Sequence, residues 1–268
     1  MERQQKVILV TGSTDGLGRE VAMRAAATGA HVLVHGRNQG RGGEVVRAIE
    51  AAGGSAKFYA ADFADLAQVR ALAAAIDRDH DRIDVLLNNA GIWLRTGPRQ
   101  VNPAGHELHF AVNHLAGYLL TRLLLPLVEA AAPSRIINVA SVAQTPVDFS
   151  DPMLERGYDG RRGYAQSKLA QIIFTMDLAE ELRDRNVTVV AIHPSRLMDT
   201  TMVSEAGLPA QTTIAEGADA VMSLVTGADI QTGQYFDTVR PTRANDQAYD
   251  RDAQAALRGL SERLTTGV

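Results

Sequence analysis

The chain has 268 residues, which is enough to bury a large core and lies within the size range of one α/β domain. A formal net charge of -4 offers no basic surface to a nucleic acid, and the absence of cysteine excludes disulfides, thiolate nucleophiles and cysteine-based metal sites. We therefore expect a cytoplasmic protein that binds neither nucleic acid nor metal. The polar start, Met1 to Lys6, does not resemble a signal peptide, and no apolar run reaches the roughly 20 residues that span a bilayer.

Short β-branched runs alternate with amphipathic stretches along most of the chain. The expected strands are Lys6–Thr11, His31–His35, Lys57–Ala60, Val85–Leu87, Ile136–Val139 and Val187–Ile192. The expected helices run from a glycine turn to Thr28, over Arg41–Ala52 and Asp65–Asp79, through a region ending near Ala132, and over Tyr164–Leu182. Such alternation predicts a single α/β domain over residues 1–268, with a doubly wound parallel sheet and helices on both faces.

Ligands of such a sheet gather beyond the carboxyl ends of the strands, where the first strand here meets a glycine-rich turn. Glycines let the backbone approach a pyrophosphate, whose charge is met by the N–H groups that begin the next helix. The position of the turn, between the first strand and the first helix, favours a dinucleotide site over a purely structural turn. The predicted contacts are Gly12, Ser13, Thr14, Gly16, Leu17 and Gly18.

The end of the second strand indicates which dinucleotide is preferred. Enzymes specific for NAD place an acid there to bind the ribose 2′-hydroxyl, whereas this chain has Gly36-Arg37-Asn38. The Arg37 guanidinium can bind a 2′-phosphate through charge-assisted hydrogen bonds. NADP(H) is therefore the preferred cofactor, with Arg37 and Asn38 as contacts. Two alternatives remain: the protein also uses NAD(H), or Arg37 is a solvated loop residue that binds no phosphate.

A tyrosine and a lysine lie four residues apart in Tyr164-Ala165-Gln166-Ser167-Lys168, on one face of a predicted helix. A free tyrosine has a pKa of about 10, so a nearby ammonium is needed to favour the phenolate at working pH. The spacing alone also occurs in structural surface pairs. Together with the glycine turn it predicts general acid–base catalysis.

Three motifs, the glycine turn, Asp62-Phe63 and Asn88-Asn89-Ala90-Gly91, resemble those of the short-chain dehydrogenase/reductase superfamily, which has a Rossmann-type fold. The resemblance implies that Asp62 contacts the adenine amino group and Phe63 the ring region, and that Asn89, Ala90 and Gly91 line the cofactor. It also implies a small-molecule carbonyl or alcohol substrate. A homodimer or homotetramer is left open.

The same resemblance implies a catalytic tetrad. Tyr164 exchanges the proton, Lys168 also binds the nicotinamide ribose, Ser141 polarises the carbonyl, and Asn113 holds a water that links the lysine to solvent. Past the sixth strand, Pro194 and Thr200 are implied as cofactor contacts within a substrate loop over roughly 194–215. This chain departs from the family there, because Ser195 stands where the family usually has glycine.

Three longer runs resemble a branch that contains retinol dehydrogenases, the WW-domain oxidoreductase and protochlorophyllide reductases. They are Gly105–Leu115, Pro133–Ser141 and Tyr164–Ala170. The branch suggests a lipophilic or ring-bearing ketone, aldehyde or alcohol. An apolar pocket for it can be built from residues that lie after strands or near the predicted tyrosine–lysine helix, although ordinary packing is the alternative for each of them: Trp93, Leu94, Val147, Phe149, Met153, Tyr158, Leu197 and Met202.

Three other functions fit the sequence less well than a dehydrogenase. His106-Glu107-Leu108-His109 does not meet the H-E-x-x-H zinc pattern, so we interpret it as a polar helix face. The sequence around Ser141 lacks the glycines of a nucleophile elbow, which argues against a hydrolase. The remaining alternative is a catalytically silent NADPH-sensing regulatory protein on the same fold. A damaged tetrad would favour it, and the tetrad is intact.

Overall fold

The computed structural model describes residues 5–266, so residues 1–4 of the polar start and residues 267–268 of the predicted domain lie outside it. The strands are β1 (Val7–Val10), β2 (His31–Gly36), β3 (Ser55–Ala60), β4 (Val85–Asn88), β5 (Ser134–Val139), β6 (Val187–His193), β7 (Gln234–Asp237) and β8 (Arg240–Thr242). The helices are α1 (Gly16–Ala27), α2 (Gln39–Ala51), α3 (Leu66–Asp79), α4 (Ala116–Ala130), α5 (Gly160–Glu181), α6 (Thr201–Glu205), α7 (Ile214–Thr226) and α8 (Arg251–Thr265). A π-helical segment, Phe110–Leu115, runs directly into α4.

The eight strands found within residues 5–266 belong to one sheet in the order β3-β2-β1-β4-β5-β6-β7-β8. Neighbours from β3 to β7 pair in parallel, and only the short β8 pairs antiparallel, with β7. The predicted doubly wound sheet is confirmed, with the antiparallel edge strand as an addition. The strand order reverses between β1 and β4, which opens a crevice at their carboxyl ends.

Both faces of the sheet are covered, because successive strand residues face opposite sides. On β1, Leu9 packs into the layer that contains α3, α4 and α5, whereas Ile8 and Val10 pack into the layer that contains α1, α2 and α7. All three side chains are buried. A strand buried on both faces reads as a continuous apolar run, which is why β1 is visible in the sequence.

The catalytic helix begins four residues earlier than predicted. The Asp159 side chain accepts the Arg161 N–H and so caps α5, and Gly160 and Gly163 occupy its first turn. Glycines weaken the helical signal of that turn, which explains the late prediction. A Cβ at Gly160 would lie 2.2 Å from the Leu94 carbonyl oxygen, so glycine is required for the close approach of this helix to the preceding loop.

The expectation that no run is long enough to span a bilayer is wrong for residues 110–130. By length and composition this helical run is apolar enough to cross a membrane. Most of its apolar window, 72%, is buried inside the fold, as in the core helix of a folded domain.

Candidate active site

The glycine-rich turn joins β1 to α1 beside the crevice. Gly12 has φ of +64°, and a Cβ there would lie 2.8 Å from Ala90 Cα, while a Cβ at Gly18 would lie 2.2 Å from the Gly12 carbonyl oxygen. Side chains are therefore excluded at both positions, and the backbone itself forms the surface. The predicted turn residues lie together, and α1 begins within them at Gly16, whose N–H donates to the Asp15 side chain at 2.8 Å.

A buried histidine that sequence reasoning missed holds this turn from β2. The Gly12 N–H donates to His35 Nδ1 at 3.1 Å, and the His35 N–H donates to Ser13 Oγ at 3.0 Å. Burial lowers the pKa of His35 to about 4, so the ring is neutral at pH 7 and Nδ1 remains an acceptor. The Ser13 hydroxyl also donates to the Val10 carbonyl at 2.7 Å, and the Ser13 N–H donates to the His35 carbonyl at 2.8 Å, so both donors of this residue are used within the protein.

The loop after β2 carries exposed positive charge toward the crevice. The Arg37 side chain is 70% exposed and its Nη1 lies 3.8 Å from Asp62 Oδ2, a loose pair that leaves most guanidinium donors free for a phosphate. The predicted contact Asn38 uses its side chain to cap α2, where it accepts the Arg41 N–H at 3.0 Å. Arg41 in turn lies 3.5 Å from Asp15 beside the glycine turn, so a second guanidinium borders the site.

Asp62 and Phe63, which lie shortly after the end of β3, make different contacts. The Asp62 carboxylate is 38% exposed and accepts the Ala64 N–H at 2.9 Å, which leaves one oxygen facing the crevice loop. The Phe63 ring is buried and stacks on His35 with centroids 4.4 Å apart. The Phe63 ring thus supports the glycine turn through His35, and its contact with the adenine ring region stays a prediction.

The Asn89-Ala90-Gly91 segment lies against the glycine turn, as predicted for a segment that lines the crevice. The Asn89 and Ala90 N–H groups donate to Thr11 Oγ1 at 2.9 and 3.0 Å. The Asn89 side chain donates to the Thr11 and Gly12 carbonyls at 2.8 and 3.2 Å. The ends of β1 and β4 are thereby held together, and the two loops form one continuous edge.

Lys168 is the buried cation of the site. Its Nζ donates to the Val139 carbonyl at 2.8 Å and to Gln171 Oε1 at 2.9 Å, and the residue is 4% exposed. Burial lowers the pKa of Lys168 to about 7. A Cβ at Gly91 would lie 3.4 Å from Nζ, so glycine at this position leaves the space between the loop and the ammonium open.

Tyr164 lies one turn before the lysine, with the Lys168 Nζ 5.8 Å from its ring centroid. Burial raises the pKa of Tyr164, and a hydrogen bond with Ser141 opposes that rise. Ser141 follows β5, and its backbone is fixed by the Tyr235 hydroxyl, which donates to the Ser141 carbonyl at 3.1 Å. The hydroxyls of Tyr164 and Ser141 therefore meet where a carbonyl oxygen can accept from both.

Asn113 completes the predicted tetrad from within the π-helical segment. Its Oδ1 accepts the Ile92 N–H at 2.8 Å, and its Nδ2 donates to the Ile92 carbonyl at 3.1 Å and to Ser167 Oγ at 2.9 Å. The extra residue of a π turn displaces a side chain from its α-helical position, and here it points Asn113 at Ile92. A water held by Asn113 stays a prediction.

The segment after β6 closes over the glycine turn. Pro194 is buried, and the Ser195 hydroxyl that replaces the usual glycine donates to Thr212 Oγ1 at 2.9 Å, which ties the two ends of the predicted substrate loop together. Thr200 caps α6, and a Cβ at Gly16 would lie 3.3 Å from its Cγ2. Thr200 thus faces the turn directly, whereas the contact of Pro194 with the cofactor stays a prediction.

The interpretation of His106 to His109 as a polar helix face is wrong. Glu107 and His109 are buried, at 1% and 0% exposed, and they bond to each other beside α5. Within residues 5–266, no group of three or more His, Asp or Glu side chains is placed to hold a metal ion.

The switch-point turn and the buried tyrosine–lysine pair together define a dinucleotide-binding oxidoreductase. The sequence model of the short chain dehydrogenase family matches residues 6–211, and the chain belongs to that family.

Several known proteins are similar to this chain. Human retinol dehydrogenase 13 is 37% identical over a match that covers 70% of this chain and 58% of the relative's length. Mouse retinol dehydrogenase 14 is 32% identical, with 96% of this chain and 85% of the relative covered. A solved metagenomic short-chain oxidoreductase in complex with NADP has a TM-score of 0.70 and 31% identity, covering 89% of this chain and 98% of that one. The predicted resemblance to the retinol dehydrogenase branch is confirmed.

Proposed function

We propose that this protein is an NADP(H)-dependent carbonyl reductase or alcohol dehydrogenase acting on a lipophilic or aromatic ketone, aldehyde or alcohol. The observation that carries the proposal is the meeting of Tyr164, Ser141 and Lys168 beside Gly91, at the edge of the glycine turn. When bound, the nicotinamide supplies or accepts the hydride. The residues described below hold the ligands and move the proton.

The crevice fits a dinucleotide phosphate. Bare backbone at Gly12 and Gly18 leaves room for a pyrophosphate at the start of α1, where the helix N–H groups face negative charge. The exposed guanidinium of Arg37 can bind a ribose 2′-phosphate, and no acid follows β2 to repel it. A solved relative in complex with NADP supports this choice of cofactor. Dual use of NAD(H) is included in the titration below.

Proton transfer is assigned to Tyr164. In reduction, its hydroxyl donates the proton to the nascent alkoxide, while the Ser141 hydroxyl donates a hydrogen bond to the same oxygen. In oxidation, the tyrosine takes the proton back. The Lys168 ammonium, with Nζ 5.8 Å from the Tyr164 ring centroid, favours the phenolate electrostatically and so opposes the burial that raises the pKa of Tyr164.

A lipophilic substrate is supported by the surface beside Tyr164. The Trp93 ring stacks on the Tyr164 ring with centroids 5.1 Å apart, so the proton donor faces an aromatic wall. The retinol dehydrogenases to which the chain is similar are named for an apolar alcohol. Of the other predicted pocket residues, Val147 is buried in the core, and Phe149 and Met153 pack against it, so these three do not line an open pocket.

The test is a screen of the purified protein with NADPH against ketones, aldehydes and quinones, following the loss of nicotinamide absorbance. We expect aromatic or long-chain carbonyl compounds to be reduced and short charged oxoacids to be poor substrates. Turnover confined to charged oxoacids would contradict the substrate class. NADPH binding without any turnover would favour the regulatory alternative, which the intact tetrad does not support.

Cofactor preference gives a second expected result. NADPH should bind at least about tenfold more tightly than NADH, and Arg37→Ala should remove about 1.5–3 kcal/mol of NADPH binding while leaving NADH binding unchanged. Calorimetric titration of both cofactors measures this. Arg78→Ala is the matched control, because Arg78 is 71% exposed on the far end of α3. Equal affinities for the two cofactors in the unmodified protein would contradict the assignment.

A cytoplasmic location and a homo-oligomeric state stay predictions.

A further inference from the structure

A buried acid and histidine lie directly behind the catalytic tyrosine, outside the tetrad. Glu107 Oε1 and His109 Nδ1 are 2.8 Å apart, and both side chains are almost completely excluded from solvent. The His109 ring meets the Tyr164 ring edge to face, with centroids 6.3 Å apart. A Cβ at Gly163 would lie 3.0 Å from His109 Nδ1, so glycine before the tyrosine makes this approach compatible with α5.

The hydrogen bonds fix which nitrogen of His109 carries the proton. The Leu94 N–H donates to His109 Nε2 at 2.9 Å, so Nε2 is the acceptor. Nδ1 therefore carries the hydrogen and donates to Glu107 Oε1. The other Glu107 oxygen accepts the Phe110 N–H at 2.8 Å, which anchors the carboxylate to the start of the π-helical segment. The carboxylate thus selects the tautomer that can hold Leu94.

The backbone of Leu94 is held by contacts on both sides. Its N–H is bound by His109, and its carbonyl oxygen packs against Gly160 at the start of α5, where a Cβ would come within 2.2 Å. The loop that carries this peptide has no helix or strand between β4 and the π-helical segment. Its conformation therefore depends on such individual contacts.

These contacts of the Leu94 backbone position the preceding residue, Trp93, whose ring stacks on the Tyr164 ring at an interplanar angle of 29°. Its Nε1 is buried and has no hydrogen-bond partner in the described part of the chain, so no hydrogen bond from the indole fixes the orientation of the ring. Stacking with offset rings is a weak contact, and loss of the neighbouring backbone anchor frees the indole to turn away.

We propose that Glu107 and His109 are positioning residues for the substrate side of the site, which hold the Trp93–Leu94 backbone so that the indole forms a fixed wall for a planar substrate against Tyr164. This inference rests on the proposed function, since it assigns the residues that shape that same site. Neither residue touches the reacting atoms. Both act through the Leu94 peptide.

The test uses Trp93 as its own reporter, because it is the only tryptophan in the chain. Acrylamide quenching of its fluorescence measures how firmly the indole is held and needs neither cofactor nor turnover. His109→Leu removes the acceptor for Leu94, whereas the carboxamide of His109→Gln can accept from Leu94 and donate to Glu107. His106→Leu is the control, since His106 lies in the same segment and its buried Nδ1 has no hydrogen-bond partner among residues 5–266.

We expect His109→Leu to increase quenching at least about twofold and to raise KM for an aromatic ketone about tenfold, with kcat within about threefold of the unmodified protein. KM for a small aliphatic ketone should change less. His109→Gln and His106→Leu should stay near the unmodified values. If His109→Leu does not fold, Gly160→Ala displaces the same peptide from its other side and should give the same quenching and KM change.

Unchanged quenching and KM in a folded His109→Leu or Gly160→Ala protein would overturn the proposal. So would equal damage in His109→Gln and His109→Leu, because ring packing rather than the hydrogen bonds would then be responsible. If the unmodified protein turns over no substrate, the proposed function fails, while the quenching series still decides whether the pair holds Trp93.

Discussion

Tyr164→Phe should lower kcat about 10²–10⁴-fold while NADPH affinity stays within about twofold of the unmodified protein. Phenylalanine keeps the ring that stacks on Trp93 and removes only the exchangeable proton. The hydrogen bond with Ser141 is lost as well, so the substrate oxygen loses its proton donor and one of the groups that orders the site. The cofactor contacts of the glycine turn are untouched.

The measurement is steady-state kinetics on a carbonyl substrate from the screen, beside calorimetric titration of NADPH. Tyr118→Phe is the matched control, because Tyr118 is also buried in a helix packed on the sheet but lies in α4 against Phe174. Unchanged kcat in Tyr164→Phe would mean that the tyrosine–lysine pair is structural. A large loss of NADPH affinity would mean that the tyrosine mainly shapes the cofactor crevice.

Five of the first six strands were predictable because each is buried on both faces and is bounded by turn residues, whereas the partly exposed edge strand β3 is predicted only over its last four residues. Runs such as Val7–Val10 carry that signal without any alignment. The sequence predicts no strand or helix after residue 194. Its strands β7 and β8 have four and three residues and form a hairpin at the sheet edge, too short for a clear pattern. Helix α7 did carry a local signal, a capping box of Thr213 and Glu216.

The site was predictable to the extent that its residues stand in short motifs after strands. Residues whose role depends on distant partners were missed or misread. The sequence predicts His35 only as the end of a strand, because no residue next to it in the sequence indicates that its ring accepts a hydrogen bond from Gly12. Glu107 and His109 were misread as a polar face, because their burial depends on α5 and on the Trp93 loop, both far along the chain.

Lys168→Met should lower kcat/KM at least about 10²-fold and weaken NADPH binding about tenfold. The ammonium that favours the Tyr164 phenolate is removed, and with it the proposed contact to the nicotinamide ribose. Tyr164→Phe should spare cofactor binding, so the pair of variants separates proton exchange from cofactor contact. Damage to kcat with unchanged NADPH affinity in Lys168→Met would contradict the ribose assignment.

The same substitution should make the protein more stable at pH 7, by about 1–3 kcal/mol in the free energy of unfolding. Burial lowers the pKa of Lys168 to about 7, against about 10.5 in the unfolded chain, so holding the charged form in the site is costly. Between pH 7 and 10.5 the unfolded chain binds the extra proton, so the stability of the unmodified protein rises with pH by up to about 1.4 kcal/mol per unit from this group.

The advantage of Lys168→Met should therefore be largest at pH 7 and shrink by pH 9. Denaturant titrations of both proteins at the two pH values measure this. A difference in the free energy of unfolding between the two proteins that does not depend on pH would show that the fold does not lower the pKa of Lys168.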